Sequence, residues 1–132
     1  MRHRGAFGTV EETMGNIYFK ELVVWQKSIL LVKEVYNLTK FLPVEERYDL
    51  SSQMRRSAVS VPSNIAEGNS RNGKKEYINF LSIARGSVSE LWTQLIICNE
   101  LKFLSKEQIT DAENLCEEIS KILNSMIKKL SD

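Results

Sequence analysis

The chain has 132 residues, which suits a single domain with one core. Hydrophobic residues make up 42% of it and charged residues 27%, a balance that excludes an intrinsically disordered chain and a fibrous protein. Six glycines and two prolines supply too few turns for a β-sandwich or a barrel, and a net charge of +1 favours no class of partner.

The N-terminal segment differs from the rest of the chain. Residues 1–15 contain three of the six glycines and show no periodicity. We therefore expect an N-terminal tail over residues 1–15 and a four-helix bundle domain over residues 16–132; the alternative for the tail is a short ordered arm packed on the bundle. Arg2 and Arg4 precede no apolar signal-peptide core, and no apolar run reaches the ~18 residues of a membrane span. The sequence predicts no membrane partner.

The first predicted helix covers residues 19–41 and has two apolar faces. Pro43 stops it, because proline cannot continue the hydrogen-bond ladder and restricts the residue before it. The spacing assigns one face to the core, formed by Leu22, Trp25, Ile29, Val32 and Tyr36. About 100° away lies a second face, which predicts an oligomer contact; its residues are Val24, Leu31, Val35, Leu38 and Leu42. The alternative is one wide stripe that neighbouring helices bury within a single subunit.

Three further helices follow at residues 49–67, 74–101 and 105–130. The second has Asp49 or Ser51 as its N-cap and a bend at Pro62, and the fourth opens on a capping box from Ser105 to Gln108. Each has one apolar stripe at spacings of three and four. The second helix has Leu50, Met54, Ser57, Ala58, Val61 and Ile65, the third has Tyr77, Leu81, Ala84, Val88, Leu91, Leu95 and Cys98, and the fourth has Ile109, Ala112, Cys116, Ile119, Leu123, Met126 and Leu130. Short connections allow these stripes to be buried only by antiparallel packing, so the fold class is all-α, an antiparallel up-down-up-down four-helix bundle. Ile83, Ile97 and Leu101 are a weaker apolar surplus on the third helix.

The second helix has a polar seam beside its apolar stripe, made of Gln53, Arg56, Ser60, Asn64, Glu67 and Arg71. Hydrogen-bonding groups and arginines of this kind suit carboxylates or phosphates. The alternative is a structural seam in which Arg56 pairs with Glu67 and Asn64 bonds a neighbouring helix.

The same helix lies in the most basic part of the chain. Residues 47–75 contain six basic residues and two acidic ones, a local charge of +4, whereas residues 76–132 have a local charge of −3. A basic end on a neutral protein indicates a phosphate or nucleic-acid contact. Chance clustering of solvated side chains is the alternative.

Several motifs in this region resemble one family of bacterial proteins. They are residues 24–27, 53–57, 63–68, Arg71, residues 80–87 and residues 90–91, and the most specific is the run Asn64-Ile65-Ala66-Glu67-Gly68. Over residues 22–130 the chain resembles the four-helix-bundle proteins of 23S rRNA intervening sequences. It departs from their pattern at Gly73, where a serine cap is common.

The resemblance implies a homo-oligomeric ring, usually a pentamer, linked to genes inserted in large-subunit ribosomal RNA. The family is also similar to the accessory protein of diversity-generating retroelements, a basic pentamer that works with nucleic acid. The positions carried over to this chain are Gln53, Arg55, Arg56, Asn64, Glu67, Arg71 and Arg85.

We therefore expect a cytoplasmic, non-enzymatic protein that binds RNA or DNA; the alternative is a structural adaptor that binds another protein. The candidate nucleic-acid contacts are Arg55, Arg56, Arg71, Lys74, Lys75 and Arg85. No catalytic residue, cofactor or metal site is predicted, because the single histidine, His3, lies in the tail and no serine or cysteine has an evident base. Cys98 and Cys116 lie in apolar stripes and are predicted to be free thiols of a reducing compartment.

Overall fold

Four long helices make up most of the computed structural model, which describes residues 18–132. They are α1 (Val23–Thr39), α2 (Leu50–Asn69), α3 (Lys74–Glu100) and α4 (Lys106–Ser131), and the described residues form no strand. Short 3-10 turns at Phe19–Glu21 and Val44–Glu46 precede α1 and α2. The all-α fold class is confirmed. The predicted tail, residues 1–15, lies outside the described residues.

The helix ends differ from the predicted ones by a few residues. α1 is shorter at both ends, because the extended residue Leu22 separates it from the 3-10 turn at Phe19–Glu21. α2 runs two residues past its predicted end and continues through Pro62, which is buried. The Ser105 capping box is confirmed, since Gln108 N–H donates to the serine hydroxyl at 3.0 Å.

The direction of α2 relative to α3 follows from two cross-helix contacts. Asn69, the last residue of α2, donates to the hydroxyl of Tyr77 near the start of α3 at 3.3 Å. Met54, near the start of α2, accepts from the Cys98 thiol near the end of α3 at 3.5 Å. The two helices are therefore antiparallel.

The same reasoning applies to α3 and α4. Trp92 donates to Glu113 at 2.9 Å, whereas Arg85, earlier in α3, donates to Asn124, later in α4, also at 2.9 Å. Lys27 forms an ion pair with Glu118 at 3.0 Å, which joins α1 to α4. Each helix thus contacts its neighbours around a closed four-helix bundle.

The core contains the predicted stripes of α3 and α4 without exception. All seven α3 stripe residues are buried: Tyr77, Leu81, Ala84, Val88, Leu91, Leu95 and Cys98. So are all seven of α4: Ile109, Ala112, Cys116, Ile119, Leu123, Met126 and Leu130. On both helices the unbroken apolar spacing of three and four residues was sufficient to identify the buried side, although α3 also has a weaker apolar surplus.

The oligomer face predicted for α1 is a core face, and of the predicted core face only Leu22 is buried. The predicted oligomer face of Val24, Leu31, Val35 and Leu38 is the core face: Leu31 and Val35 are 0% exposed. Tyr36, predicted to be core, is 41% exposed, and Trp25 is only half-buried, against Phe19. The alternative stated above, burial within one subunit, is confirmed for this face. The position of α1 against α2 and α4 decides which of its faces is buried. The spacing of apolar residues within α1 gives no information about that position.

Both cysteines are free and buried, which agrees with their prediction as core thiols. Burial raises the pKa of Cys98 to about 11 and that of Cys116 to about 12. Because the thiolate is the reactive form, we expect neither thiol to be alkylated by iodoacetamide at about pH 8 in the native protein, and both to react in urea. Mass spectrometry of the alkylated chain checks this; modification of the native protein at the rate of a free thiol would contradict it.

Candidate nucleic-acid interface

α2 presents a different set of side chains to each of its neighbours. Met54, Ala58, Val61 and Ile65 face the core and are 0% exposed. The positions between them form two flanks, because each residue turns the helix by about 100°. One flank borders α1 and the segment that joins α1 to α2; the other borders α3.

The flank beside α1 forms a groove of about 600 Å³. It lies between α1, α2 and the connecting segment, and its lining residues are Tyr36, Arg47, Tyr48, Ser52, Arg55, Arg56, Val59 and Ser60. Three of these are arginines, two are tyrosines and none is acidic. We call it the arginine groove.

The three arginines are held differently, and none forms an ion pair with another described residue. Arg55 is half-buried: its Nε donates to the Thr39 hydroxyl at 3.0 Å, and its guanidinium carbon lies 4.7 Å from the centre of the Tyr36 ring. The guanidinium carbon of Arg47 lies 6.0 Å from the centre of the Tyr48 ring. Arg56 is exposed. Their positive charges are therefore available to a ligand.

A smaller cavity of about 240 Å³ adjoins the arginine groove. The two share Arg47 and Arg55, and the cavity adds Lys40 and the hydroxyls of Thr39 and Ser51. No acidic residue lines it. A third cation next to the shared arginines makes this cavity a candidate site for an anion.

On the flank beside α3, Ser60 and Asn64 of the predicted polar seam form a local hydrogen-bond network. The Ser60 and Ser87 hydroxyls lie 2.8 Å apart and link α2 to α3, and Asn64 donates to the Ser60 hydroxyl at 2.9 Å. Gln53 is exposed and donates back to Asp49.

The alternative in which Arg56 pairs with Glu67 is wrong. Glu67 lies at the far end of α2, where its carboxylate pairs with Arg71 at 2.9 Å. Arg71 also contacts Glu76 at 3.4 Å and lies over the Phe80 ring. Asn64 bonds within its own helix rather than to a neighbour, so the contact across to α3 comes from Ser60.

The basic candidates from the sequence do not form one surface. Arg55 and Arg56 lie in the arginine groove, whereas Arg71, Lys74 and Lys75 lie beyond the opposite end of α2, which is about 20 Å from Arg56 at 1.5 Å per residue. Arg71 is neutralised there by two carboxylates. Arg85 faces α4, where it donates to Asn124.

Sequence reasoning missed four residues around the groove. Arg47 was counted in the basic segment but not chosen as a contact, Tyr36 was assigned to the core, and Lys40 and Tyr48 were not considered. One signal was present in the sequence: Arg47-Tyr48 places an aromatic residue beside a cation in a polar connection between helices. The pairing of this connection with Arg55 depends on the fold.

Other kinds of site are not found in residues 18–132. No group of three histidine, cysteine or acidic side chains in this part of the chain could hold a metal ion. None of its helices combines the length and the apolar character needed to cross a bilayer.

Two comparisons place the chain among known proteins, and both agree with the resemblance found in its motifs. The model of the family described as 23S rRNA-intervening sequence protein matches residues 20–125. A crystal structure of a protein of unknown function from the S23 ribosomal protein family of Bacteroides thetaiotaomicron is 33% identical, with a TM-score of 0.75; the match covers 80% of this chain and 99% of that one. No curated protein matches. Since the family model spans most of the bundle, this chain belongs to the 23S rRNA-intervening sequence protein family.

Proposed function

We propose that this protein is a non-enzymatic nucleic-acid-binding protein and that the arginine groove contacts the phosphates. The observation that carries the proposal is the groove lining, which has three arginines, no carboxylate and no internal ion pair. Arg71, by contrast, is paired with two carboxylates.

Arginine also suits the ligand by its shape. Its planar guanidinium donates two parallel hydrogen bonds to a phosphate and stacks on aromatic rings. Arg55 already lies over Tyr36 and is oriented by the Thr39 hydroxyl, so little side-chain freedom is lost when it binds.

The proposal predicts a loss of affinity in a charge-removal variant. Arg47→Gln combined with Arg56→Gln leaves Arg55 and its hydrogen bond to Thr39 in place. We expect at least a tenfold weaker affinity for a fluorescein-labelled RNA, measured by anisotropy at several salt concentrations. The dependence of log affinity on log salt should flatten by roughly 1 for each arginine removed.

The matched control is Lys128→Gln combined with Lys129→Gln, which removes the same charge from the C-terminal end of α4. Both lysines are exposed, and we expect the control to bind like the unmodified protein. Equal losses in both double variants would mean that only net charge matters. Absence of salt-dependent binding by the unmodified protein would refute the proposal.

Assembly into a ring, which the family resemblance implies, stays a prediction, and the α1 face first assigned to it is buried. A homopentamer would repeat the arginine groove five times and strengthen a weak contact by multivalency. Its subunit contacts would have to use other apolar residues, such as Val23 and Leu30, which are 57% and 52% exposed.

Binding of another protein is the second candidate function. Ile83 and Ile97 on α3 and Leu101, which follows it, are 44%, 39% and 55% exposed, and this apolar surplus favours protein binding. The two functions differ in salt dependence, because an apolar contact is not weakened by salt as phosphate contacts are.

A further inference from the structure

We infer that the arginine groove is a site for single-stranded nucleic acid, in which one unpaired base stacks on Tyr48 and a neighbouring phosphate enters the cavity beside it. The inference rests on the proposed function and specifies the ligand of the same site. It comes from the combination of an exposed aromatic ring, three arginines in one groove and an adjoining cavity of about 240 Å³ that holds a further cation.

Tyr48 has no packing role in the bundle. It is 87% exposed, more than any other large hydrophobic residue in the described part of the chain. Its ring contacts only the Arg47 guanidinium among the described interactions. A ring that contributes so little to the core is free to stack on a base, and every nucleobase has a face that it can cover.

The cations lie where a strand stacked on Tyr48 would place its backbone. Arg47 contacts the Tyr48 ring and lines both the arginine groove and the adjoining cavity. Arg55 lines both as well, and Lys40 lies in the cavity. A phosphate in the cavity would therefore contact three cations while its own base, or the next one, lies in the groove.

Arg55 is held in position by Thr39. The Thr39 hydroxyl accepts a hydrogen bond from Arg55 Nε and donates one to the carbonyl of Tyr36 at 3.1 Å. Thr39 is itself buried. It acts as a positioning residue, which directs the remaining N–H groups of Arg55 and leaves them for the ligand.

The phosphates of a duplex can contact the cations, but its bases cannot stack on Tyr48. Its bases are paired and stacked on each other, so none is available to Tyr48 unless it is unpaired. A single strand satisfies both the ring and the cations, as in other single-strand-binding proteins that combine a basic groove with stacking aromatics.

The test compares four ligands of about 12 nucleotides: a single-stranded RNA, a single-stranded DNA of the same sequence, and the duplex of each. We expect the single strands to bind at least tenfold more tightly than the duplexes. Tyr48→Ala should weaken single-strand binding by about tenfold and leave duplex binding unchanged, whereas Tyr48→Phe, which keeps the ring, should bind like the unmodified protein. If the affinity for both single strands depends on Tyr48, the ligand is single-stranded nucleic acid in general. If only the affinity for RNA depends on it, the ligand is single-stranded RNA. Either result supports the inference.

Stacking itself is measured with a single strand that contains the fluorescent base 2-aminopurine. The fluorescence of this base should fall when the strand binds the unmodified protein or Tyr48→Phe, but not when it binds Tyr48→Ala. Because Tyr48 is 87% exposed, the thermal midpoint of Tyr48→Ala should match that of the parent. Salt-dependent binding that favours duplex, or that ignores Tyr48 while it still requires Arg47 and Arg56, would overturn the inference and leave the proposed function standing. Absence of salt-dependent binding to all four ligands would overturn both.

Discussion

Leu31→Asp is expected to unfold the bundle, whereas Leu30→Asp, one residue earlier in α1, is expected to leave it folded. Leu31 is 0% exposed and Leu30 is 52% exposed. Truncation of a buried leucine alone costs about 2–5 kcal/mol of the free energy of unfolding, and an unpaired carboxylate in its place adds several more. Since the total stability of a domain is about 5–15 kcal/mol, the buried charge removes most or all of it.

Circular dichroism at 222 nm and urea titration distinguish the two variants. The milder variants Leu31→Ala and Leu30→Ala should both remain folded and show the same contrast. We expect Leu31→Ala to lower the free energy of unfolding by about 2–5 kcal/mol and Leu30→Ala by less than about 0.5 kcal/mol. Two equally helical aspartate variants with the same urea midpoint would show that Leu31 does not lie in the core. Soluble helical monomers from Leu31→Asp with Leu38→Asp would restore the first assignment of this face to an oligomer contact.

Alanine substitutions at two helical glycines, Gly68 and Gly86, are expected to change the stability of the protein in opposite directions. A Cβ on Gly68 would lie 2.8 Å from the Phe80 Cβ and 3.0 Å from the Tyr77 ring. Phe80 Cβ is fixed to the backbone of α3, so α2 and α3 must separate, and we expect Gly68→Ala to destabilise the protein by about 1–3 kcal/mol. Gly86, also within a helix, has no atom within 4 Å of the added Cβ.

Gly86→Ala should therefore follow intrinsic helix propensity and stabilise the protein by up to about 1 kcal/mol. Thermal and urea unfolding of both variants measure the difference. A stabilised Gly68→Ala variant would mean that the close approach of α2 to α3 is absent in solution, while a destabilised Gly86→Ala variant would indicate that α3 has a partner on its outer face.

Only part of the arginine groove could be predicted from the sequence. Arg55 and Arg56 were both chosen from the sequence, and both line the groove. Their partners Tyr36 and Tyr48 belong to α1 and to the segment between α1 and α2, and no spacing within α2 refers to them. The basic segment also looked continuous over residues 47–75, yet the 20 residues of α2 hold its two ends about 28 Å apart at 1.5 Å per residue.

By itself the sequence determined the number of helices, the buried sides of α3 and α4, the capping box at Ser105 and the family. These features depend on local spacing or on residue identity, both of which the chain contains directly. Tertiary structure alone decided which apolar face of α1 is buried, because Val24 and Leu31 on one side and Trp25 and Val32 on the other satisfy the same helical period. It also decided that Arg47, Tyr48 and Arg55 share a groove, since contacts between different elements depend on how the helices pack against each other and not on the period of any one of them.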